Sequence, residues 1–120
     1  IMVSGFPNLF MITGPQSPGV KSQMILSIEQ HVEFIHDLVK HKKRNHYSEV
    51  SVKAKNQEEW IKHNNAVANA TLYPLAHSWY NGDNISGKTR NFMPYVGGVS
   101  NYKNICDDVI ADGYKGFEFS

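Results

Sequence analysis

The sequence predicts an α/β fold that is mostly helical, with a few short strands and an incomplete sheet. Three stretches repeat apolar residues at helical spacing, whereas only two short stretches alternate apolar and polar residues as strands do. A further apolar run, at residues 9–12, is typical of a strand buried on both faces of a parallel sheet. Because the chain has too few other strands to flank that run, we expect it to be a piece of a larger protein.

The composition is that of one folded domain of 120 residues, with 41% hydrophobic residues. Its 12 basic and 11 acidic side chains leave a formal charge of +1, which gives no reason to expect a nucleic acid or an anionic membrane as partner. No apolar stretch approaches the ~20 residues that span a bilayer, and no typical signal peptide opens the chain. One cysteine excludes an internal disulfide. We therefore expect a soluble, cytoplasmic protein.

The first helix is predicted to follow a loop at residues 14–27. Ser27 and Gln30 form a capping-box pattern, and the helix should end near Lys42. Its apolar face is predicted to comprise Ile28, Val32, Ile35, Leu38 and Val39. The basic residues 40–44 are either an anion site or a solvated last turn that complements the helix dipole, and the pattern favours the second interpretation.

The second half of the chain is predicted to hold two more helices and two short strands. Residues 50–54 and 117–119 alternate as strands do. Asn56 begins a helix that runs through Leu72 and is stopped or kinked by Pro74, and a third helix starts near Ser100 and ends at Gly113. Residues 76–98 lack any regular pattern and are too long for an ordinary connection, so we expect them to be functional or mobile.

The residues alone indicate neither a metal site nor a catalytic centre. His31, His36, His41 and His46 are five residues apart, which does not place them on one helical face as a zinc pair requires. No nucleophile elbow, dinucleotide fingerprint or phosphate-binding loop is present. Cys106 falls on a helix with an apolar face and is interpreted as a packed thiol.

A series of short sequence blocks does carry a family signature. They are GFPNLF at 5–10, GPQSP at 14–18, SIEQHVE at 27–33, ATLYP at 70–74, SWY at 78–80, GDNI at 82–85, FMPYVGG at 92–98 and GYKGF at 113–117. In this order they resemble the C-terminal part of Baeyer–Villiger monooxygenases, most of all the phenylacetone, steroid and cyclohexanone monooxygenase group. The blocks cover essentially the whole chain and are specific only in combination.

The resemblance implies an enzyme that uses FAD, NADPH and dioxygen to insert one oxygen atom beside a ketone carbonyl, giving an ester or a lactone. Residues 1–120 would then form the C-terminal segment of a Rossmann-like FAD-binding domain, with the FAD fingerprint, the NADP domain and every catalytic residue upstream. The isolated segment should therefore be inactive and bind neither FAD nor NADPH. Its partner would be the remainder of the parent enzyme, and alone it is expected to self-associate.

The resemblance also assigns five site residues. Met24 matches the residue beside the flavin ring, and Trp79 matches a tryptophan on a mobile loop that reaches the nicotinamide cofactor; both are predicted to bind cofactor. Gly19, Val20 and Lys21 match the loop that lines the substrate pocket. Without the resemblance, Met24 would be interpreted as a core gap-filler, and Trp79 has the alternative role of anchoring its own loop.

Two other functional hypotheses remain open at this stage. The parent enzyme is either a Baeyer–Villiger oxygenase or a related flavin monooxygenase that oxidises sulfur or nitrogen. A third possibility, from a different class, is a non-catalytic interaction domain that descends from this segment and stands alone.

Overall fold

The polypeptide combines three α-helices with one small antiparallel sheet and long irregular connections. The computed structural model describes residues 1–19 and 22–120. Within those ranges the elements are α1 (Met24–Arg44), β1 (Val50–Val52), α2 (Ala54–Asn69), a 3₁₀ turn (Tyr73–Leu75), a second 3₁₀ turn (Trp79–Asn81), α3 (Val99–Ala111) and β2 (Phe117–Phe119). The mostly helical fold with a few short strands is thus confirmed.

The sheet joins the middle of the chain to its last residues. Strands β1 and β2 pair antiparallel, with Val50 opposite Phe119 and Val52 opposite Phe117. Beyond the ladder, the carbonyl of Ser120 accepts hydrogen bonds from the backbone N–H groups of Ser48 at 2.6 Å and Glu49 at 2.9 Å. Both strands lie where the alternating pattern predicts them.

The core lies between α1, α3 and this sheet, and it is rich in aromatic side chains. Its buried members are Phe34, Leu38, Val50, Tyr95, Tyr102, Cys106 and Tyr114. The Phe34 and Tyr114 rings meet edge to face with centroids 6.1 Å apart, a geometry that aromatic pairs favour. Trp60 of α2 is only half-buried and packs on the border of this cluster.

Helix α1 begins four residues earlier than its capping pattern predicts. The first helical residue is Met24, Gln23 occupies the N-cap position, and no side chain caps the helix. Ser27 lies inside the first turn, where its hydroxyl is 3.4 Å from that of Ser22. The prediction of Ser27 as N-cap is wrong because Met24 and Leu26, both strong helix formers, extend the helix in the N-terminal direction.

The apolar face predicted for α1 is largely uncovered. Ile28 is 37% exposed and Val32 is 48% exposed, whereas Leu38 alone of that set is fully buried. The buried face instead carries Ser27, Gln30, His31, Phe34 and Leu38. Helix α1 therefore has one side packed inside this chain and a second, apolar side that nothing in the described part of the chain covers.

The buried strand predicted at residues 9–12 does not form. Leu9 and Ile12 are each 46% exposed. Asn8 and Thr13 have φ angles of 59° and 51°, so the backbone reverses on both sides of the run, which extended chain does not permit. The segment is held by the Asn8 N–H, which donates to the carbonyl of Val50 at 2.9 Å.

The remaining predictions differ mainly at helix ends. Helix α2 begins at Ala54, with Lys53 at the N-cap, so the prediction of a cap at Asn56 is wrong. It also stops at Asn69, before Leu72 and well short of Pro74. Helix α3 starts one residue from the predicted position and ends as predicted, because Gly113 takes a φ of 68° and donates its N–H to the carbonyl of Ile110.

The long segment at residues 76–98 is irregular, as predicted, apart from its one 3₁₀ turn. Across residues 1–19 and 22–120, no helix combines the length and the apolar character needed to cross a membrane.

Candidate functional site

A cleft of about 320 Å³ lies where the irregular segments meet the first residue of α1. Its walls come from three parts of the chain: the loop before α1, the Trp79 turn and the segment that precedes α3. The lining residues are Thr13, Gly14, Pro15, Ser17, Pro18, Gly19, Met24, Trp79, Tyr80, Met93 and Pro94. Most of these side chains are apolar or small, so the cleft suits a flat, largely apolar group held by a few backbone contacts.

Backbone hydrogen bonds fix the three walls relative to one another. The Gln16 N–H donates to the carbonyl of Met93 at 2.5 Å, and the Tyr95 N–H donates to the carbonyl of Ser17 at 3.0 Å. On the other side, the Met93 N–H donates to the carbonyl of Tyr80 at 2.7 Å. The segment around Met93 thus lies between the other two walls and is hydrogen-bonded to both.

Helix α2 holds this central segment in place through two adjacent asparagines. Asn64, which is fully buried, donates its side-chain N–H to the carbonyl of Phe92 at 2.6 Å. The Asn65 amide oxygen accepts the Phe92 N–H at 2.9 Å. Both backbone groups of Phe92 are therefore satisfied by α2, which explains how an irregular segment reaches the cleft without exposing unpaired backbone.

A buried histidine holds the opposite wall. The Nδ1 atom of His31 accepts the Thr13 N–H at 2.8 Å, and the His31 side chain has no exposed surface. Burial lowers the pKa of His31 to about 4, with a smaller contribution from the α-amino group of Ile1. The imidazole is therefore neutral near pH 7, as an acceptor at Nδ1 must be.

The Trp79 turn is tied to the turn that precedes it. The buried Asn81 donates its side-chain N–H to the carbonyl of Ala76 at 2.7 Å and to that of Tyr73 at 3.2 Å. The Ser78 hydroxyl caps the turn by accepting the Tyr80 N–H at 3.3 Å. These contacts orient the backbone of Trp79 and leave its side chain free to face the cleft.

Three of the five predicted site residues meet at this cleft. Trp79 is 60% exposed, and the centroid of its indole lies 4.2 Å from that of the Tyr80 ring. Its indole N–H makes no hydrogen bond within the described ranges. Met24 is 48% exposed on the opposite wall. A Cβ atom added at Gly19 would lie 3.7 Å from the Met24 methyl group, an ordinary van der Waals distance, so the two residues are neighbours on this wall. Val20 and Lys21 lie outside the described residues.

Met24 is too exposed to fill a gap in the core of this chain. Trp79 packs against Tyr80 of its own turn, so its alternative role as an anchor of that loop stays open. What the two side chains bind stays a prediction. Among residues missed by sequence reasoning, His31, Asn64, Asn65 and Asn81 position the walls. Their only signal in the sequence is that polar residues occupy helix and turn positions where the pattern would place apolar ones.

Other candidate groups lie away from the cleft. Cys106 is buried and free, as predicted, and burial raises the pKa of its thiol, so it is a poor nucleophile near neutral pH. Lys42 in the basic last turn of α1 donates to the Asn8 side chain at 3.1 Å and to the carbonyl of Ser48 at 3.0 Å. In the described part of the chain, no three His, Cys, Asp or Glu side chains gather as a metal site would require.

Comparison with known proteins was made for the sequence and for the fold. No family model matches the chain. It is 33% identical over its full length to an acetone monooxygenase (methyl acetate-forming) of Gordonia sp. strain TY-5, covering 23% of that protein. It is 31% identical to a cyclohexanone 1,2-monooxygenase of Acinetobacter sp., over 98% of this chain and 21% of that one. A phenazine N-monooxygenase of Lysobacter antibioticus is 32% identical, again over 98% of this chain and 21% of the relative.

Solved structures give the same result at the level of the fold. Cyclohexanone monooxygenase from Rhodococcus sp. Phi1, in a crystal structure bound to NADP⁺, matches all of this chain with 38% identity and a TM-score of 0.89, over 22% of its own length. A closed crystal structure of cyclohexanone monooxygenase gives a TM-score of 0.89 at 37% identity, over 99% of this chain and 22% of that one. An open crystal structure of cyclohexanone monooxygenase gives a TM-score of 0.79 at 31% identity, over 99% of this chain and 19% of that one.

The sequence matches and the structure matches point to the same group of enzymes. The resemblance inferred from the sequence is confirmed: the chain is homologous, over its whole length, to one segment of the Baeyer–Villiger monooxygenases. It spans between a fifth and a quarter of the length of the curated relatives it matches.

Proposed function

We propose that this chain is the C-terminal segment of a Baeyer–Villiger-type flavin monooxygenase and closes the FAD-binding domain of that enzyme. The parent enzyme would use NADPH and dioxygen to insert one oxygen atom beside a ketone carbonyl, giving an ester or a lactone. The observation that carries the proposal is the shared cleft of Gly19, Met24 and Trp79, in a chain whose relatives include ketone monooxygenases. The catalytic residues would lie in the rest of the enzyme.

The Met24 wall of the cleft fits an FAD ring system. FAD, when bound, supplies the activation of dioxygen. The thioether of Met24 offers a polarisable apolar surface to a flat ring. Met24 is also the first residue of α1, whose N-terminus carries no side-chain cap and no acidic residue in its first turn. The partial positive charge of that helix end would favour the negative charge of a reduced flavin.

The Trp79 wall fits the nicotinamide cofactor. The exposed indole provides a large flat surface and one unused N–H donor, which suits a side chain that covers a bound cofactor and excludes water. Gly19, Val20 and Lys21 would border the substrate, and for Val20 and Lys21 that assignment depends on the sequence resemblance alone.

The test is a Trp79→Ala substitution in the full-length enzyme that contains this chain. The loss of the indole surface and its hydrogen bond should cost on the order of 1–3 kcal/mol in the closed state. That corresponds to roughly a five- to hundredfold loss of coupled oxygenation, at ~1.4 kcal/mol per factor of ten. NADPH oxidation with release of peroxide should fall less or even rise. Ester yield per NADPH, measured together with the melting temperature, reports the effect.

A matched control is Leu75→Ala, because Leu75 is 79% exposed on the neighbouring turn and does not line the cleft. It should leave the yield per NADPH unchanged. Trp79→Phe, which keeps an aromatic surface but removes the donor, should fall between wild type and Trp79→Ala. If Trp79→Ala lowers the melting temperature and leaves the yield per NADPH intact, Trp79 is a packing anchor and our assignment is wrong.

A second candidate reaction is oxidation at nitrogen. The observation that favours it is the phenazine N-monooxygenase among the relatives, at an identity similar to that of the ketone monooxygenases. The two reactions are separated by offering the full-length enzyme a cyclic ketone and an N-heteroaromatic compound side by side. Lactone formation without N-oxide supports the first proposal, and the reverse result supports the second.

A further inference from the structure

The loop that follows Trp79 is closed at its base by a two-point ion pair. The Nε atom of Arg90 lies 2.9 Å from Oδ1 of Asp83, and an Nη atom of Arg90 donates to Oδ2 of the same carboxylate at 3.0 Å. The same Nη atom also donates to the carbonyl of Pro74 at 3.1 Å. One guanidinium therefore joins both ends of the loop to the 3₁₀ turn Tyr73–Leu75, in the planar two-bond geometry that arginine favours with carboxylates.

The Asp83 carboxylate is well placed for this role. Its side chain is 18% exposed, whereas that of Arg90 is 55% exposed, so the pair is partly shielded from water. His77 adds a weaker contact, with Nδ1 3.8 Å from Oδ2 of Asp83, and is almost fully exposed. Asp83 lies four residues after Trp79. Through Arg90 the pair is hydrogen-bonded to the same 3₁₀ turn to which Asn81 donates, at the carbonyl of Tyr73.

The residues inside the loop cannot provide this order themselves. Residues 84–89 read NISGKT, with no proline to restrict the backbone, and Gly82 and Gly87 both take positive φ angles of 75° and 77°. Positions 84–90 are all exposed. In the described chain, the ion pair is thus the principal side-chain tie between the loop and the rest of the molecule.

We propose that Asp83 and Arg90 are positioning residues that hold Trp79 against the cleft. The inference rests on the proposed function. If Trp79 covers a bound cofactor, its loop must be ordered, and we assign that ordering to the ion pair. Without the pair, Asn81, Ser78 and the Met93 N–H would still hold the turn. The loop that follows the turn would lose its tie to Pro74, and the segment at residues 79–90 would open more often. An open segment admits water to the cleft, so reducing equivalents would be lost as peroxide.

The experiment compares wild type with Asp83→Asn, Arg90→Gln and the double variant. Hydrogen–deuterium exchange of residues 78–90, measured on this chain, should be about two- to fivefold faster in each single variant, the range that exposed ion pairs imply. The double variant should be no faster than Arg90→Gln, because that single change already removes both the ion pair and the hydrogen bond to Pro74. In 1 M salt, where the screening length is about 3 Å, wild type should approach the variants.

Product yield per NADPH, measured on the full-length enzyme, is the second readout and should fall by about two- to fivefold in the same variants. Asp107→Asn is the matched control. It breaks the pair between Lys103 and Asp107, 2.7 Å apart on the exposed side of α3, away from the cleft, and it should change neither readout.

Exchange that is no faster in the variants than in Asp107→Asn overturns the inference, and so does faster exchange with an unchanged yield. If the full-length enzyme oxygenates neither a ketone nor an N-heteroaromatic compound, the proposed function is wrong, whatever the role of the ion pair. The exchange measurement still shows whether the pair orders the loop.

Discussion

His31 shows how one buried side chain links the stability of the chain to the shape of the cleft. Its Nδ1 atom holds Thr13 on one wall, while its Nε2 atom has no hydrogen-bond partner in the described part of the chain. The ring also lies edge-on to Tyr102, with centroids 5.5 Å apart. An imidazolium at this position would lose the Thr13 hydrogen bond and place a charge in the core, which explains the direction of its pKa shift.

We predict that His31 makes folding sensitive to mild acid. The folded-state pKa of about 4 lies below the usual value of 6.5, so the unfolded chain binds the proton first and stability falls as the pH drops from 6.5 towards 4. The shift implies a loss on the order of 2 kcal/mol between pH 7 and pH 5. Urea unfolding of wild type and His31→Gln at both pH values measures it, since glutamine keeps an acceptor but does not titrate.

The control is His36→Gln, on the exposed side of the same helix. His31→Gln should lose about 2 kcal/mol of the wild-type pH dependence. His36→Gln shows what the same change of residue type does to α1 outside the core. Equal pH dependence in wild type and His31→Gln would show that His31 is not the responsible group.

At the scale of elements, α1 has one face packed against α3 and the sheet, and a second, apolar face that nothing in the described part of the chain covers. Ile25, Ile28 and Val32 form a stripe on the uncovered side, and they are 67%, 37% and 48% exposed. Contiguous apolar surface of this kind marks an interaction site rather than a solvated face. In the proposed parent enzyme, the rest of the FAD-binding domain would cover it.

We predict that the isolated chain self-associates through this stripe. Replacing Ile28 and Val32 together by glutamine should reduce association and preserve the helix, because glutamine has a better helix propensity than either residue. Sedimentation or light scattering over a range of concentrations measures the effect, with His36→Gln as a control for the same helix. A wild-type chain that stays monomeric at high concentration contradicts the prediction.

The elements that the sequence predicts correctly are those whose signal is local. Helix α3 and strands β1 and β2 follow from apolar spacing and from Gly113, which alone fits its left-handed position. Residues 9–12 were mispredicted because an apolar run shows that a segment needs covering but does not show that its backbone is extended, and the positive φ angles of Asn8 and Thr13 leave no signal in the apolar pattern. The apolar face of α1 was misplaced because apolar spacing does not show whether the cover lies in the same chain.

At the scale of the whole molecule, we propose that the chain supplies one part of a site that the rest of the parent enzyme completes. The cleft of about 320 Å³ has walls and no catalytic residue that we assign. Resemblance alone led to Met24 and Trp79, since neither residue type at that spacing has a chemical meaning of its own. The roles of Asn64 and Asn65 were beyond prediction, because their hydrogen bonds to the backbone of Phe92 join segments 28 and 27 residues apart in the sequence.

We predict that the purified 120-residue chain neither retains FAD nor oxidises NADPH, because one wall of a cleft buries too little of the cofactor to hold it. Absorbance between 350 and 500 nm after purification, and NADPH consumption in the presence of added FAD, test this directly. Near-stoichiometric flavin in the purified chain would contradict the prediction. The full-length enzyme serves as the positive control.

The tied base of the loop also bears on how this segment can change over evolutionary time. Once Asp83 and Arg90 hold the two ends together, the cost of closing the loop depends only weakly on its length, about 0.6 kcal/mol for each doubling. Residues 84–89 are therefore free to lengthen, shorten or change composition at little energetic cost. Substitutions and insertions at residues 84–89 can therefore create new contacts beside the cleft without moving the backbone of Trp79.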